Sequence, residues 1–213
     1  MTDALTPHLD ALAAGRVVAI ATESFFGLLA DVRSDAALSL LFSLKPRGAD
    51  KGVPLLLPSR AAWPSLVEDV PPLAEALAAA LWPGGLSISL PARASVDRRV
   101  ALADHVAVRM PGASPARDLV ERYGFALTAT SANLPGEPPA VRAEDVTRSF
   151  PAATADGRLL AHPAPSPGGA PSTVVTFRDG RIEIAREGAV PRATLAQLLA
   201  KHGASLDATP AHR

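Results

Sequence analysis

The feature that most constrains this chain is alternation: short apolar runs rich in β-branched residues are separated by segments of helical period. Runs of strand character stand at 17–21 (VVAIA), 53–57 (VPLLL), 86–90 (LSISL), 105–110 (HVAVRM), 125–130 (FALTAT), 172–177 (STVVTF) and 182–185 (IEIA). Helices are predicted over 34–45, 71–82, 114–123 and 191–203. Ser34 and Ser114 are placed to cap two of them, Pro115 opens the second of these, and Gly124 ends it. Strands alternating with helices predict an α/β or α+β domain with a mixed sheet. Asp179-Gly180, between the last two runs, adds an antiparallel hairpin because both residues tolerate positive φ. Residues 151–171 are dense in Pro and Gly and are predicted as a long surface loop around a weak strand at Leu159 and Leu160.

Bulk properties exclude several function classes. A chain of 213 residues can bury a substantial core. The expected organisation is a single domain over 1–192, with a C-terminal helix and frayed tail over 193–213 and no second domain. Basic and acidic residues cancel at 21 each, so no global field draws the protein onto nucleic acid or an anionic membrane. The absence of cysteine excludes disulfides and thiolate-based zinc or redox sites. The opening stretch, interrupted by Asp3 and Asp10, reads as a short helix rather than a targeting signal. No run approaches the roughly 18 apolar residues of a membrane span, and the expected setting is the cytoplasm. The histidines at 8, 105, 162, 202 and 212 are dispersed without metal-ligand spacing, and no G-x-S-x-G elbow is present. No metal site built from protein side chains is expected.

The residues that can carry chemistry sit at the ends of the predicted strands. Thr22, Glu23 and Ser24 follow the first run, where open α/β sheets bind ligands; an ordinary turn with locally bonded hydroxyls is the plainer account. Lys45, Arg47 and Lys51 gather positive charge in one loop, and only three of the 21 basic residues are lysines. That loop is either a solvated helix terminus or a phosphate cradle. Trp82-Pro83-Gly84 is a turn or an amide nest for an anion. Arg109 is a rim salt bridge or a ligand anchor. The stretch LTATSANLPG (127–136) ends an apolar run in Thr128, Thr130, Ser131 and Asn133, as a turn or as one wall of a site. Ser172 and Thr173 follow a glycine-rich loop, and Arg186 closes the last run. As a set, hydroxyls, an amide and several cations with few acids favour an anionic, phosphorylated ligand. Such a site accelerates reaction by positioning and charge neutralisation without a protein nucleophile.

Seven of these segments, in order, resemble the YrdC-like family of threonylcarbamoyl-AMP synthases over residues 9–192. They are Ala21-Thr22-Glu23-Ser24-Phe25-Phe26-Gly27-Leu28, Lys45-Pro46-Arg47 with Lys51, Trp82-Pro83-Gly84, Arg109-Met110-Pro111, Ser131-Ala132-Asn133, Ser172 to Val175, and Arg186-Glu187-Gly188. The resemblance implies a twisted mixed sheet flanked by helices around a deep basic cavity. It implies ATP, L-threonine and bicarbonate as substrates, Mg2+ carried with ATP, and threonylcarbamoyl-adenylate and pyrophosphate as products. The adenylate would serve N6-threonylcarbamoyladenosine (t6A) modification of tRNA through downstream transfer proteins. It also implies roles: Lys45, Arg47, Ser131 and Asn133 on the phosphates and carbamate, Thr22, Arg109, Ser131 and Ser172 on threonine, and Lys51 and Arg186 on ATP. Ala21, Phe26, Gly48, Pro135 and Thr176 depart from the family's pattern. The alternative is a divergent YciO-like paralogue that binds double-stranded RNA or tRNA, or acts on another acceptor.

Overall fold

A computed structural model of the protein describes residues 3–46 and 52–207. Arg47 and Lys51 lie outside the described residues, as does the end of the tail from 208. In chain order the elements begin with α1 (Thr6–Ala13), β1 (Val17–Ala21), β2 (Phe26–Leu29), α2 (Asp35–Leu44), β3 (Leu55–Leu56) and a 3-10 turn at Arg60–Ser65. They continue with α3 (Pro72–Leu81), β4 (Leu86–Pro91), β5 (His105–Arg109), α4 (Pro115–Tyr123), β6 (Leu127–Thr128) and β7 (Thr130–Ser131). The last are α5 (Ala143–Ser149), α6 (Pro151–Ala155), β8 (Leu159–Ala161), β9 (Thr173–Arg178), β10 (Arg181–Arg186) and α7 (Arg192–Ala200).

Among the described residues the strands form two mixed sheets. One has four strands in the order β7-β2-β1-β8, the other six in the order β10-β9-β4-β5-β3-β6. β1 runs parallel to β8 and antiparallel to β2, while β4 runs parallel to β9 and antiparallel to β5. The fold is therefore mixed α/β, with helices packed against the sheets. α3 and α7 cover the six-stranded sheet, and α7 buries Leu195 and Leu199 in the same core as Trp63 and Trp82. α1 and α4 bury Leu12 and Leu119 beside Val18 and Ile20 of β1, while α2 and α5 bury Leu41 and Val146 against the four-stranded sheet. No described helix is long and apolar enough to cross a membrane.

The local signals act as the residue types require. The Ser34 and Ser114 hydroxyls accept from Ala37 N–H and Arg117 N–H, each at 3.2 Å. Gly124 ends α4 at φ +78°, in the left-handed region that glycine enters without a Cβ penalty. Asp179 and Gly180 both take positive φ, as a tight hairpin turn demands.

Three expectations need correction. The predicted loop over 151–171 opens as α6, because Pro151 supplies the first-turn proline and an alanine-rich stretch follows it. Asp145 caps the preceding α5 by accepting from the Val141 and Arg142 N–H groups, each at 3.1 Å. The stretch after Thr22 is not simply an exit loop: Phe26–Leu29 is a strand pairing back on β1, so 17–29 is a hairpin. The single predicted strand at 125–130 is two, since the chain leaves the six-stranded sheet at Thr128 and joins the four-stranded sheet at Thr130. Ala129 makes that crossing, with its N–H held by Pro54 O at 2.7 Å.

Candidate active site

The crossing at Ala129 creates the site. Where the two sheets part, a cavity of about 340 Å3 opens, lined from the four-stranded side by Thr22, Phe26, Thr130 and Ser131. Arg109, Ser172 and Arg186 line it from the six-stranded side. Residues far apart in sequence meet there because each stands at or beside a strand end facing the seam.

Behind Ser131 of the cavity wall lies a buried lysine. Lys45 follows α2, is 7% exposed, and donates from Nζ to Ser131 O (2.6 Å), Ser131 Oγ (3.0 Å) and Asn133 Oδ1 (3.2 Å). These three acceptors are neutral oxygens that replace part of the ammonium's water. Asn133 is oriented for this task by its own Nδ2, which donates to Glu137 O at 2.6 Å and Leu134 O at 3.1 Å. Leu41 of α2 and Ala132 share one apolar cluster, which packs the two halves of this arrangement together.

Arg109 stands in the cavity wall itself. Its side chain is 7% exposed and donates from Nη1 to Glu23 Oε1. Burial pushes the guanidinium below its ordinary pKa while the Glu23 charge opposes that shift, and arginine stays protonated at neutral pH. Glu23 Oε2 is buried with no hydrogen-bond partner.

A third cation, Arg186, is fixed by backbone. Its Nε and Nη2 donate to Ser172 O at 3.1 and 2.9 Å, and Nη2 also reaches Ser172 Oγ at 3.0 Å. That Ser172 hydroxyl is shared with Ser87 Oγ at 2.9 Å. The approach of residues 171–172 to 188 is close: a Cβ on Gly188 would sit 2.2 Å from Pro171 O, so only glycine fits.

The structure thus gathers Thr22, Arg109, Ser131, Ser172 and Arg186 on one cavity and sets Lys45 and Asn133 directly behind Ser131. Several expected contacts are already spoken for. The Thr22 hydroxyl accepts from the Ser24 and Phe25 N–H groups (3.2 and 3.3 Å) and donates to Phe25 O (2.8 Å), so it ties the β1–β2 turn. The Gly84 N–H goes to Met110 O at 2.9 Å, which makes Trp82-Pro83-Gly84 a strand connector and removes that amide from an anion nest. Thr176 pairs across the sheet with Ser89 and Glu183 and is absent from the cavity wall. Two residues that the motif reading left without a role belong to the site, Glu23 and Thr130. Glu23 was visible as the lone acid in a group otherwise made of cations and hydroxyls. Thr130 carried no signal beyond its place between Thr128 and Ser131.

An α/β domain whose paired sheets enclose a cavity with arginines in its wall and a buried lysine behind it defines a site suited to anions. The comparisons then give the family. The sequence model Sua5/YciO/YrdC, described as telomere recombination, matches residues 10–188, and the chain belongs to that family. The chain is 37% identical over 137 residues to a protein from Idiomarina loihiensis named threonylcarbamoyl-AMP synthase, covering 63% of this chain and 74% of that one. It is 34% identical over 155 residues to a protein of the same name from Serratia proteamaculans, covering 71% and 82%. In structure it superposes on Pyrococcus abyssi Sua5 complexed with L-threonine with a TM-score of 0.82 at 28% identity, covering 91% of this chain and 56% of that longer one.

Proposed function

We propose that this protein makes threonylcarbamoyl-adenylate from L-threonine, bicarbonate and ATP, with release of pyrophosphate, for t6A modification of tRNA. The observation that carries the reading is the division of one cavity between separate cations: Arg109 in one wall, Lys45 behind Ser131, and Arg186 on Ser172. An amino-acid carboxylate and a polyphosphate need separate cationic partners, and this seam supplies them. Relatives that carry the name of the synthase, and a neighbour that binds L-threonine, support the same reading.

In this scheme Arg109 takes the threonine carboxylate and shares its charge with Glu23. The amine nitrogen of threonine adds to the bicarbonate carbon, water leaves, and a carbamate results. A carbamate oxygen then attacks the α-phosphorus of ATP, the bond to the bridging oxygen breaks, and pyrophosphate departs. Lys45, Ser131, Asn133 and Arg186 neutralise and orient the phosphates, a form of preorganised electrostatic stabilisation. Arg47 and Lys51, in the adjoining loop, are assigned to the same phosphates from the motif. Among the described residues no three His, Cys, Asp or Glu side chains converge. Mg2+ is accordingly proposed as part of the MgATP substrate. The product is a mixed anhydride that hydrolyses readily, which requires a transfer step onto tRNA by other proteins.

The test is pyrophosphate release with ATP, Mg2+, L-threonine and bicarbonate, each omitted in turn, with the adenylate identified by mass. Release that depends on both threonine and bicarbonate is expected. Release without them, or none at high enzyme concentration, overturns the proposal.

A further inference from the structure

Strand β4 reads LSISLP, and its residues divide between two faces. Leu86, Ile88 and Leu90 enter the core that holds Trp63 and Trp82, while Ser87 and Ser89 take the opposite face. Ser87 is fully buried, and among the described residues its hydroxyl reaches one partner, Ser172 Oγ at 2.9 Å. A buried hydroxyl with part of its capacity unused is costly, and alanine would fill the same place without that penalty. What Ser87 contributes is therefore to be read from Ser172, which lines the cavity.

The backbone around Ser172 is held without Ser87. Pro171 O accepts from Ala189 N–H at 2.8 Å, and Thr173 N–H donates to Gly85 O at 2.9 Å. The Thr173 hydroxyl accepts from Val190 N–H (3.0 Å) and donates to Val190 O (2.7 Å). What remains to be set is the Ser172 hydroxyl rotor. A serine oxygen carries one proton and two acceptor sites. Arg186 Nη2 donates to one of those sites at 3.0 Å. Within the serine pair, a buried proton without an acceptor is worse than an oxygen with a spare lone pair. Ser87 has no other acceptor among the described residues, so it donates, and both acceptor sites on Ser172 are then filled. The Ser172 proton is left without an internal acceptor, in the cavity wall and beside a guanidinium. Register explains why these groups meet: Ser87 and Arg186 both pair with Val174, in one row across β4, β9 and β10. We infer that Ser87 is a positioning residue, which fixes Ser172 as a hydrogen-bond donor to an anionic oxygen of the bound ligand, alongside Arg186. The inference rests on the proposed function only for the identity of the ligands.

The experiment titrates MgATP and L-threonine, each alone, by calorimetry into the parent, Ser87→Ala, Ser87→Thr, Ser172→Ala and the Ser87→Ala/Ser172→Ala double variant. Ser172→Ala identifies the ligand that the Ser172 hydroxyl serves. Ser87→Ala should weaken that same ligand by on the order of 3- to 10-fold and leave the other unchanged. The double variant should bind no more weakly than Ser172→Ala, because Ser87 acts only through that hydroxyl. Ser87→Thr keeps the hydroxyl and should restore affinity, and Ser89→Ala, on the same face of β4, should match the parent. Should the added methyl of Ser87→Thr unfold the protein, the double variant decides alone. Equal weakening of both ligands, losses that add in the double variant, or a Ser87→Ala protein that binds like the parent overturn the inference. A parent that binds ligand but releases no pyrophosphate defeats the proposed function instead, and the titrations still decide the role of Ser87.

Discussion

Arg109 and Glu23 form an ion pair inside the cavity wall, and the pair is lopsided. The arginine side chain is 7% exposed and the glutamate 24%, and one glutamate oxygen is buried without a partner. Gly112 presses against the glutamate side chain, with a hypothetical Cβ only 3.3 Å from Glu23 Cγ. Glu23 supports the charge of a guanidinium that burial disfavours.

Removing either partner strands the other. Glu23→Gln and Arg109→Ala are each expected to lower the unfolding free energy by about 1–3 kcal/mol, less than a fully buried pair because Glu23 is partly solvated. The double variant should lose less than the sum of the two. Urea denaturation of the four proteins gives the coupling directly. Additive losses would show that the pair contributes nothing.

Lys45 is held by the residues at 131 and 133, so its charge is placed rather than free to wander. Lys45→Met preserves length and removes the charge. Pyrophosphate release should fall on the order of 100- to 1000-fold, comparable to loss of a preorganised charge stabiliser elsewhere. Asn133→Ala removes one acceptor of the Lys45 ammonium and should cost on the order of 10-fold. Initial rates at saturating ATP check both, and a larger effect from Asn133 than from Lys45 would contradict the arrangement.

Gly188 is where the strand carrying Arg186 passes the segment carrying Ser172. Its substitution by alanine places a methyl within 2.8 Å of Ser172 O as well as against Pro171 O. Gly188→Ala should destabilise the fold by about 1–3 kcal/mol and weaken ATP binding, because Arg186 is anchored on the same carbonyl. Thermal unfolding and nucleotide titration should move together. An unchanged protein would mean that the two segments separate easily.

His8 and His162 meet across α1 and the end of β8, with ring centroids 5.0 Å apart and both rings buried. Burial pushes both below the ordinary histidine value of 6.5, and for His162 the His8 charge adds to the effect. Below about pH 6.5 the unfolded chain therefore binds more protons than the folded one. Stability should be level above that pH and decline as pH falls through it toward the depressed folded values. Urea midpoints between pH 8 and pH 5 measure this, and His162→Leu should flatten the decline. Stability that rises on acidification would reverse the sign and defeat the assignment.

The limits of the sequence reading are specific. Caps at Ser34 and Ser114, the Asp179-Gly180 turn and most strand positions were legible, since each depends on neighbours within a few residues. The strand at Phe26–Leu29 was not, because the apolar stretch after Ser24 reads equally as an exit from the preceding strand. α6 was hidden by Pro and Gly on either side of a short alanine-rich turn. For the site, residue types and their placement at strand ends pointed to an anionic ligand, and the motif order pointed to the family. The hydrogen-bond partners could not be read: the Thr22 hydroxyl, beside the cavity, also ties the β1–β2 turn.

By itself the sequence determined an α/β chain that carries cations and hydroxyls at its strand ends, because periodicity and residue chemistry are local properties. Only the tertiary structure decided that the chain changes sheets at Ala129, opening a cavity at the seam. That crossing also brings Lys45 onto Ser131, 86 residues away. Hydrogen-bond accounting is a property of the whole fold, since a donor's partner is set by whichever distant strand packs beside it.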